Sequence, residues 1–301
     1  MKTIKQSFKI IPQDKGLEGI YKQIELAGRT CYKSEDKITE TSAKEFVDRM
    51  IKSGHGAMLE HGTIYLFANW YPHAAGSPLS KYKDNKFSRF NKNNNGNYVT
   101  TNLRVLVENN WLNDLQYICE PTEYHEKRHT VKFICDRGVS HEFVRHRVFS
   151  FAQESTRYCN YSKDKFGNEI TCILPPWLSE NDLPKGFGYT SDDWGSLICE
   201  FYYEATEKGK SEGFIVEPVR NFVFALQTSE QLYFSLLKEG WKAQEARSVL
   251  PNALKTELVM TGFESDWKHF FELRCPGSAH PQARELAIPL QEKFKELKWV
   301  D

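Results

Sequence analysis

Between Arg145 and Tyr158 the chain reads RHRVFSFAQESTRY, which places three arginines, one histidine, two serines and a glutamine among three aromatic rings in fourteen residues. A fold that accepts this strip has to satisfy its charges while burying their neighbours, because Phe143, Val144, Val148, Phe149 and Phe151 stand directly beside them. A solvated basic face is the usual fate of clustered charge, but such runs sit among Lys, Glu, Gly and Ser. In extended backbone Arg145 and Arg147 share one face and His146 takes the other. Arginine offers a planar fork of donors that fits phosphate oxygens, and serine hydroxyls and a glutamine amide add partners for phosphate and for a base edge. The strip therefore points to a bound nucleotide.

At 301 residues, with 40% hydrophobic and 14% aromatic content, the chain has ample material for a packed core. Lys+Arg and Asp+Glu both number 40, so a polyanion preference has no overall field behind it and a general nucleic-acid binder is disfavoured. Cys31, Cys119, Cys135, Cys159, Cys172, Cys199 and Cys275 are odd in number and form no CxxC pair. That pattern suits reduced thiols in an intracellular protein, without a zinc finger or disulfide framework. The N-terminus has no apolar run of signal-peptide length, and runs such as Phe222 to Leu226 fall far short of a membrane span. A cytoplasmic protein with no membrane partner is expected.

Residues 16 to 54 carry Ile20, Ile24, Ala27 and then Phe46, Met50, Ile51 at helical spacing, broken near 34 to 37, which predicts two helices. Thr63 to Trp70, Leu103 to Val107 and Val131 to Cys135 are rich in β-branched and aromatic residues and read as three strands of one sheet. Ser77 to Asn97, dense in Lys, Asn, Ser and Gly, reads as an exposed loop. A short helix from Val139 would deliver Arg145 at its end. Residues 160 to 190 read as loop, punctuated by Pro175, Pro176 and Pro184. Helices follow near Asp193 to Glu207, Glu230 to Leu237, Ala243 to Val249, Trp267 to Leu273 and Gln282 to Leu297, with Gly240 and Pro251 as stops. Central strands flanked by helices, with no repeat and no clear linker, predict one α+β domain over 1–301.

Two further clusters share the strip's chemistry. Gly54 to His61 (GHGAMLEH) brings two histidines and a glutamate just ahead of a strand, and Arg247 (EARSVLP) and Arg274 (FFELRC) stand amid apolar positions. A salt bridge for Arg247 and an exposed helix end for Arg274 are the plainer readings. Taken in order, however, RHR at 145–147, seven residues and then Ser155 resemble the signature of the flavin-dependent thymidylate synthases. GHGAMLEH, EARSVLP, DWKHFFELRC and AHPQARELA resemble that family's other segments, and they fall in the same order. The likeness runs from about residue 25 to 295, with long insertions near 72–97 and 160–225. This chain departs from the fuller pattern at Ala152, Gln153 and Glu154, at Ala57, and at Phe263 and His269.

The resemblance implies that family's fold, a single domain with a central, mostly antiparallel sheet flanked by helices, and the conversion of dUMP to dTMP. Methylenetetrahydrofolate would be the carbon donor and FAD the hydride carrier, with NADPH reducing the flavin. It implies a dUMP site drawn from Glu142, Arg145, Gln153, Glu154, Ser155, Thr156, Arg157, Arg247 and Arg274. Ser155, Arg157 and Arg247 would meet the phosphate, and Glu142 and Gln153 the sugar or base. It implies an FAD site drawn from His55, Ala57, Arg145, His146, Arg147, Gln153, Phe263 and His269, and no metal. Arg274 would face the pyrimidine as the key catalytic side chain, and four identical subunits would share residues between sites.

Other readings are weaker. Ser155 as a nucleophile attacking carbon 6 lacks an evident general base among the arginines. A cysteine-nucleophile synthase is a poor match, since no cysteine precedes Cys159 in the strip. HEFVRH, from His141 to His146, approaches the HExxH zinc motif, but its histidines are five apart and Arg145 stands where the second histidine belongs. A catalytically inactive nucleotide- or flavin-binding protein is the remaining alternative, opposed by intact RHR, Ser155 and Arg274.

Overall fold

The computed structural model describes residues 1–69, 77–163, 166–183 and 218–301. Its strands are β1 (Lys2–Ile4), β2 (Ser7–Ile11), β3 (Thr63–Asn69), β4 (Arg89–Lys92), β5 (Gly96–Asn102), β6 (Arg128–Asp136), β7 (Ser150–Gln153), β8 (Thr171–Ile173) and β9 (Lys255–Phe263). Its helices are α1 (Gly16–Tyr32), α2 (Ser42–Lys52), α3 (Gly56–Leu59), α4 (Leu103–Glu108), α5 (Arg137–Phe143), α6 (Pro218–Lys238), α7 (Ala243–Ala246), α8 (Glu264–Arg274) and α9 (Pro281–Glu296). This is the expected mixture of antiparallel sheet and flanking helix. Among the described residues no helix is long and apolar enough to cross a membrane.

Two compact units divide the chain. The larger comprises Ser7–Cys135, Val139–Ser155 and Thr256–Asp301. It holds a four-stranded sheet of order β2-β6-β9-β7 and a three-stranded sheet of order β3-β5-β4. Thr63–Asn69 and Val131 to Cys135 are strands as expected, but they belong to different sheets. Residues Thr256 to Phe263 of β9 are all buried, because the strand lies between β6 and β7. Its run of Leu258, Val259 and Met260 therefore lacks the alternation of a half-exposed strand.

Leu103 to Val107, expected as a strand, is helix. The Asn102 side chain accepts a hydrogen bond from the Val105 amide at 3.2 Å and caps it, so the strand ends where the β-branched run begins. Ser77 to Asn97 is not an exposed loop. Leu79 and Tyr82 are fully buried three residues apart around a 3₁₀ turn at Ser80–Asp84, and β4 and the start of β5 follow. The Tyr82 hydroxyl donates to Asp114 at 2.8 Å.

Helices α1 and α2 pack where the apolar spacing predicts, burying Ile20, Ile24, Ala27, Phe46 and Met50. Gly28 makes that approach possible, since a Cβ there would lie 2.3 Å from the Phe46 ring. Beneath the four-stranded sheet a second core stacks Phe133, Phe143, Phe149, Trp267, Phe270, Phe271 and Phe294. Each such side chain is worth roughly 1.5–3 kcal/mol of burial. Helix α8 starts where the Asp266 carboxylate accepts from the Phe263 amide at 3.1 Å, and α9 starts on Pro281. Both match the expected C-terminal helices.

The smaller unit comprises Met1–Gln6, Asp136–Gly138 and Thr156–Lys255. Here β1 runs parallel to β8, and Tyr161, Ile170, Cys172, Leu226, Tyr233 and Leu254 form the core. The helix expected from Glu230 is the C-terminal part of the longer α6. The one expected from Ala243 is a single α turn followed by a 3₁₀ turn at Arg247–Val249. The helix expected at Asp193 to Glu207 lies outside the described residues.

Candidate active site

In the larger unit α5 ends at Phe143 and the chain turns back on itself. The His146 amide donates to the Phe143 carbonyl at 3.1 Å and the Phe149 amide to the His146 carbonyl at 3.0 Å. Arg145 to Arg147 therefore occupy a turn rather than extended backbone, and only from Ser150 is the strip a strand. The tight turn is imposed by Phe143 and Phe149, both buried in the aromatic core on either side of it. The side chains still divide as the alternation suggests: Arg145 and Arg147 are exposed, and His146 is 6% exposed.

His146 lies against Phe270, ring centroids 5.0 Å apart, and edge-on to Phe149 at 6.1 Å. Burial, with the neighbouring Arg274 and His269, pushes its pKa down to about 4, so the ring is neutral near pH 7. A neutral imidazole has one bare nitrogen, and here Nε2 accepts from Arg274 Nε at 3.0 Å. Arg274 also donates from Nη1 to the Glu142 carboxylate at 2.7 Å and from Nη2 to the Glu142 main-chain carbonyl at 2.8 Å. Three of its five N–H groups are thus committed.

Downstream, Gln153 Nε2 donates to Ser140 Oγ at 2.8 Å and to Thr256 Oγ1 at 3.2 Å. The Glu154 amide donates to the Glu257 carbonyl at 2.8 Å and the Ser155 amide to the Cys31 carbonyl at 3.0 Å. Glu154 is 2% exposed and faces the Lys33 ammonium electrostatically. Lys33 and Lys132 both bond the buried Glu257 carboxylate. Burial alone would lower the Lys33 pKa, but Glu154, Glu257 and Glu35 together hold it above its ordinary value. Sequence reasoning missed this cluster, whose members come from the turn after α1, from β6, from the residue after β7 and from β9, and share no local pattern.

In the smaller unit Arg247, first residue of the 3₁₀ turn after α7, is exposed and donates to Thr156 Oγ1 at 3.2 Å. Arg157 is exposed, its guanidinium 5.4 Å from the Tyr158 ring centroid.

The other expected residues lie as follows. His55 and Ala57 are exposed at the start of α3, with His55 Nδ1 3.0 Å from the Tyr32 hydroxyl. His269 is exposed, its ring 6.4 Å from that of His146. Phe263 is 5% exposed, with the Arg89 guanidinium 4.3 Å over its ring. His141 is exposed where His146 is buried, so the two do not face one point. Among the described residues no group of three or more His, Cys, Asp and Glu is arranged to hold a metal ion. The structure thus brings Glu142, His146, His269 and Arg274 together and, separately, Thr156 and Arg247.

The sequence profile of the thymidylate synthase complementing protein family matches residues 123–298. The chain is 24% identical over 285 residues to a flavin-dependent thymidylate synthase of Corynebacterium aurimucosum, covering 94% of this chain and 79% of that protein. It is 30% identical over 159 residues to a flavin-dependent thymidylate synthase of Geobacter sulfurreducens, covering 53% of this chain and 52% of that one. A solved UMP/dUMP methylase from Streptomyces cacaoi aligns over 99% of this chain and 93% of its own with 16% identity and a TM-score of 0.41, too low to carry weight.

Proposed function

The chain belongs to the thymidylate synthase complementing protein family, and from that membership we propose that it methylates dUMP to dTMP, taking carbon from methylenetetrahydrofolate and using FAD reduced by NADPH. The observation that carries this reading is the hold on Arg274. Glu142 and His146 fix its direction and leave two N–H groups uncommitted. A guanidinium cannot lose its proton, so those donors favour an anionic pyrimidine oxygen, and charge stabilised there raises the nucleophilicity of carbon 5.

We assign Ser155, Thr156, Arg157 and Arg247 to the dUMP phosphate, and Glu142, Arg145 and Gln153 to its sugar and base. Glu154 contributes through its charge, which with Glu257 and Glu35 favours the protonated form of Lys33, consistent with its burial. Gln153 spends both amide protons on Ser140 and Thr256, so its carbonyl oxygen is the end available to a donor of the nucleotide. Ser155 serves as a ligand by its hydroxyl, without ionising.

The exposed groups suit FAD, whose diphosphate needs cationic donors. Arg145 and Arg147 are both exposed, with side chains that have no hydrogen-bond or ion-pair partner among the described residues. His55, Ala57 and His269 are exposed as well, and Phe263, also assigned to FAD, is buried beneath the Arg89 guanidinium. When bound, FAD supplies hydride transfer to the one-carbon unit. We extend the proposal to a cytoplasmic homotetramer whose sites share residues between subunits, to be checked by sedimentation.

The test is a spectrum of the purified protein with and without dUMP and NADPH, followed by product analysis. Flavin absorbance bleached by NADPH, and dTMP formed from dUMP and methylenetetrahydrofolate, are the expected results. A colourless protein holding stoichiometric zinc would overturn the reading.

A further inference from the structure

Resting on the reading of Arg274 above, we infer that His146 is a positioning residue for Arg274 and not a contact for the cofactor. The RHR triplet presents its three side chains to different surroundings. Arg145 and Arg147 reach solvent, while His146 turns inward against Phe149 and Phe270 and spends Nε2 on the Arg274 Nε–H.

The direction of that bond follows from chemistry alone. Arginine has no acceptor, so Nε2 must be the bare nitrogen and the ring proton must sit on Nδ1. An imidazolium could not take part and would repel the guanidinium. The groups facing the ring are Arg274, Glu142 through Arg274, and His269, with Glu272 beyond it.

Arg274 is the last residue of α8, so its side chain has no following helical turn to brace it. Glu142 holds the two Nη atoms. A second anchor at Nε, on the other end of the planar group, stops the plane from swinging about the Glu142 contacts. Small misplacements of a catalytic group are costly, a shift of about 1 Å being worth on the order of 100-fold in rate.

The experiment compares His146→Leu, which removes the acceptor, with His146→Gln, whose amide oxygen restores one, in the flavin-loaded enzyme. For His146→Leu, kcat for dTMP is expected to fall roughly 10–100-fold while KM for dUMP and FAD affinity stay within about 3-fold, and His146→Gln should recover most of kcat. In histidine-labelled wild type, ¹⁵N NMR should show His146 Nε2 unprotonated at neutral pH and unmoved by FAD. Loss of FAD affinity by tenfold or more in His146→Leu, with kcat kept at saturating FAD, would overturn the inference. So would a protonated Nε2. Wild type that makes no dTMP would instead sink the proposed function, and the NMR result would still decide how His146 meets Arg274.

Discussion

Glu142 grips Arg274 twice, through its carboxylate at 2.7 Å and through its own main-chain carbonyl at 2.8 Å. Glu142→Ala removes only the first contact. A charge-assisted bond of this kind is worth roughly 1.5–3 kcal/mol. The guanidinium should stay near its place but lose direction. A kcat lower by about tenfold is expected in steady-state dTMP assays, with Glu142→Gln intermediate because its amide oxygen still accepts. Unchanged turnover in Glu142→Ala would show that the carboxylate does not direct Arg274.

Gly262 of β9 sits where a Cβ would lie 2.5 Å from the Phe149 ring. Phe149 cannot move aside easily, being 4% exposed and packed edge-on to Trp267 at 4.7 Å. Gly262→Ala should therefore cost roughly 1–3 kcal/mol, the usual range for overpacking a core. Phe149 also closes the turn that carries His146, so dTMP formation at permissive temperature should fall in parallel. Urea unfolding and turnover measured on the same preparation check both; a wild-type midpoint would mean the ring repacks freely.

The fold is expected to be acid-sensitive through histidines whose burial lowers their pKa, His61 and His146 above all, with His125 shifted in the same direction. Burial, with Arg128 nearby, pushes His61 down to about 3, and His146 lies at about 4. Both folded values fall below the unfolded value of about 6.5. Between them the unfolded chain binds protons that the folded chain refuses, so stability rises with pH there and is lost as pH falls below about 6.5. Each histidine contributes up to about 1.4 kcal/mol per pH unit. Urea midpoints should drop from pH 7 to pH 5, and in His146→Gln the loss should be smaller by roughly 2 kcal/mol. An identical loss in the variant would mean that His146 already protonates in the fold.

Where one face of an element meets the core, the sequence announces it. Ile20, Ile24 and Ala27 mark α1, and Phe46 and Met50 mark α2, because three- and four-residue spacing survives in any helix with a single buried stripe. Elements buried all round carry no such stripe, so β9 was not legible beyond its residue types. Leu103 to Val107 is helix despite its β-branched composition because Asn102 caps it, a local bond that outweighs residue propensity. The Arg145 to Tyr158 strip stood out as cations set among aromatics, yet its backbone turn depends on Phe143 and Phe149 entering a shared core. Nor could local pattern show that Arg274 meets His146, 128 positions away, or that Lys33 meets Glu257, 224 positions away.

Gln153 offers a sharper test of how the strip reads a nucleotide. Its Nε2 is fixed by Ser140 and Thr256, both fully buried, so the orientation of the amide is set from behind. Gln153→Leu withdraws a partner from two buried hydroxyls, at about 1–3 kcal/mol, and removes the outward acceptor. Gln153→Glu keeps that acceptor, because the hydroxyls can rotate and donate to a carboxylate oxygen while the second oxygen remains outward. If the acceptor is what dUMP needs, KM for dUMP should rise by roughly tenfold in the leucine variant and stay within about 3-fold in the glutamate variant. Equal KM values in Gln153→Leu and wild type would remove Gln153 from the nucleotide site, and a glutamate variant as poor as leucine would mean that the amide protons reach the substrate.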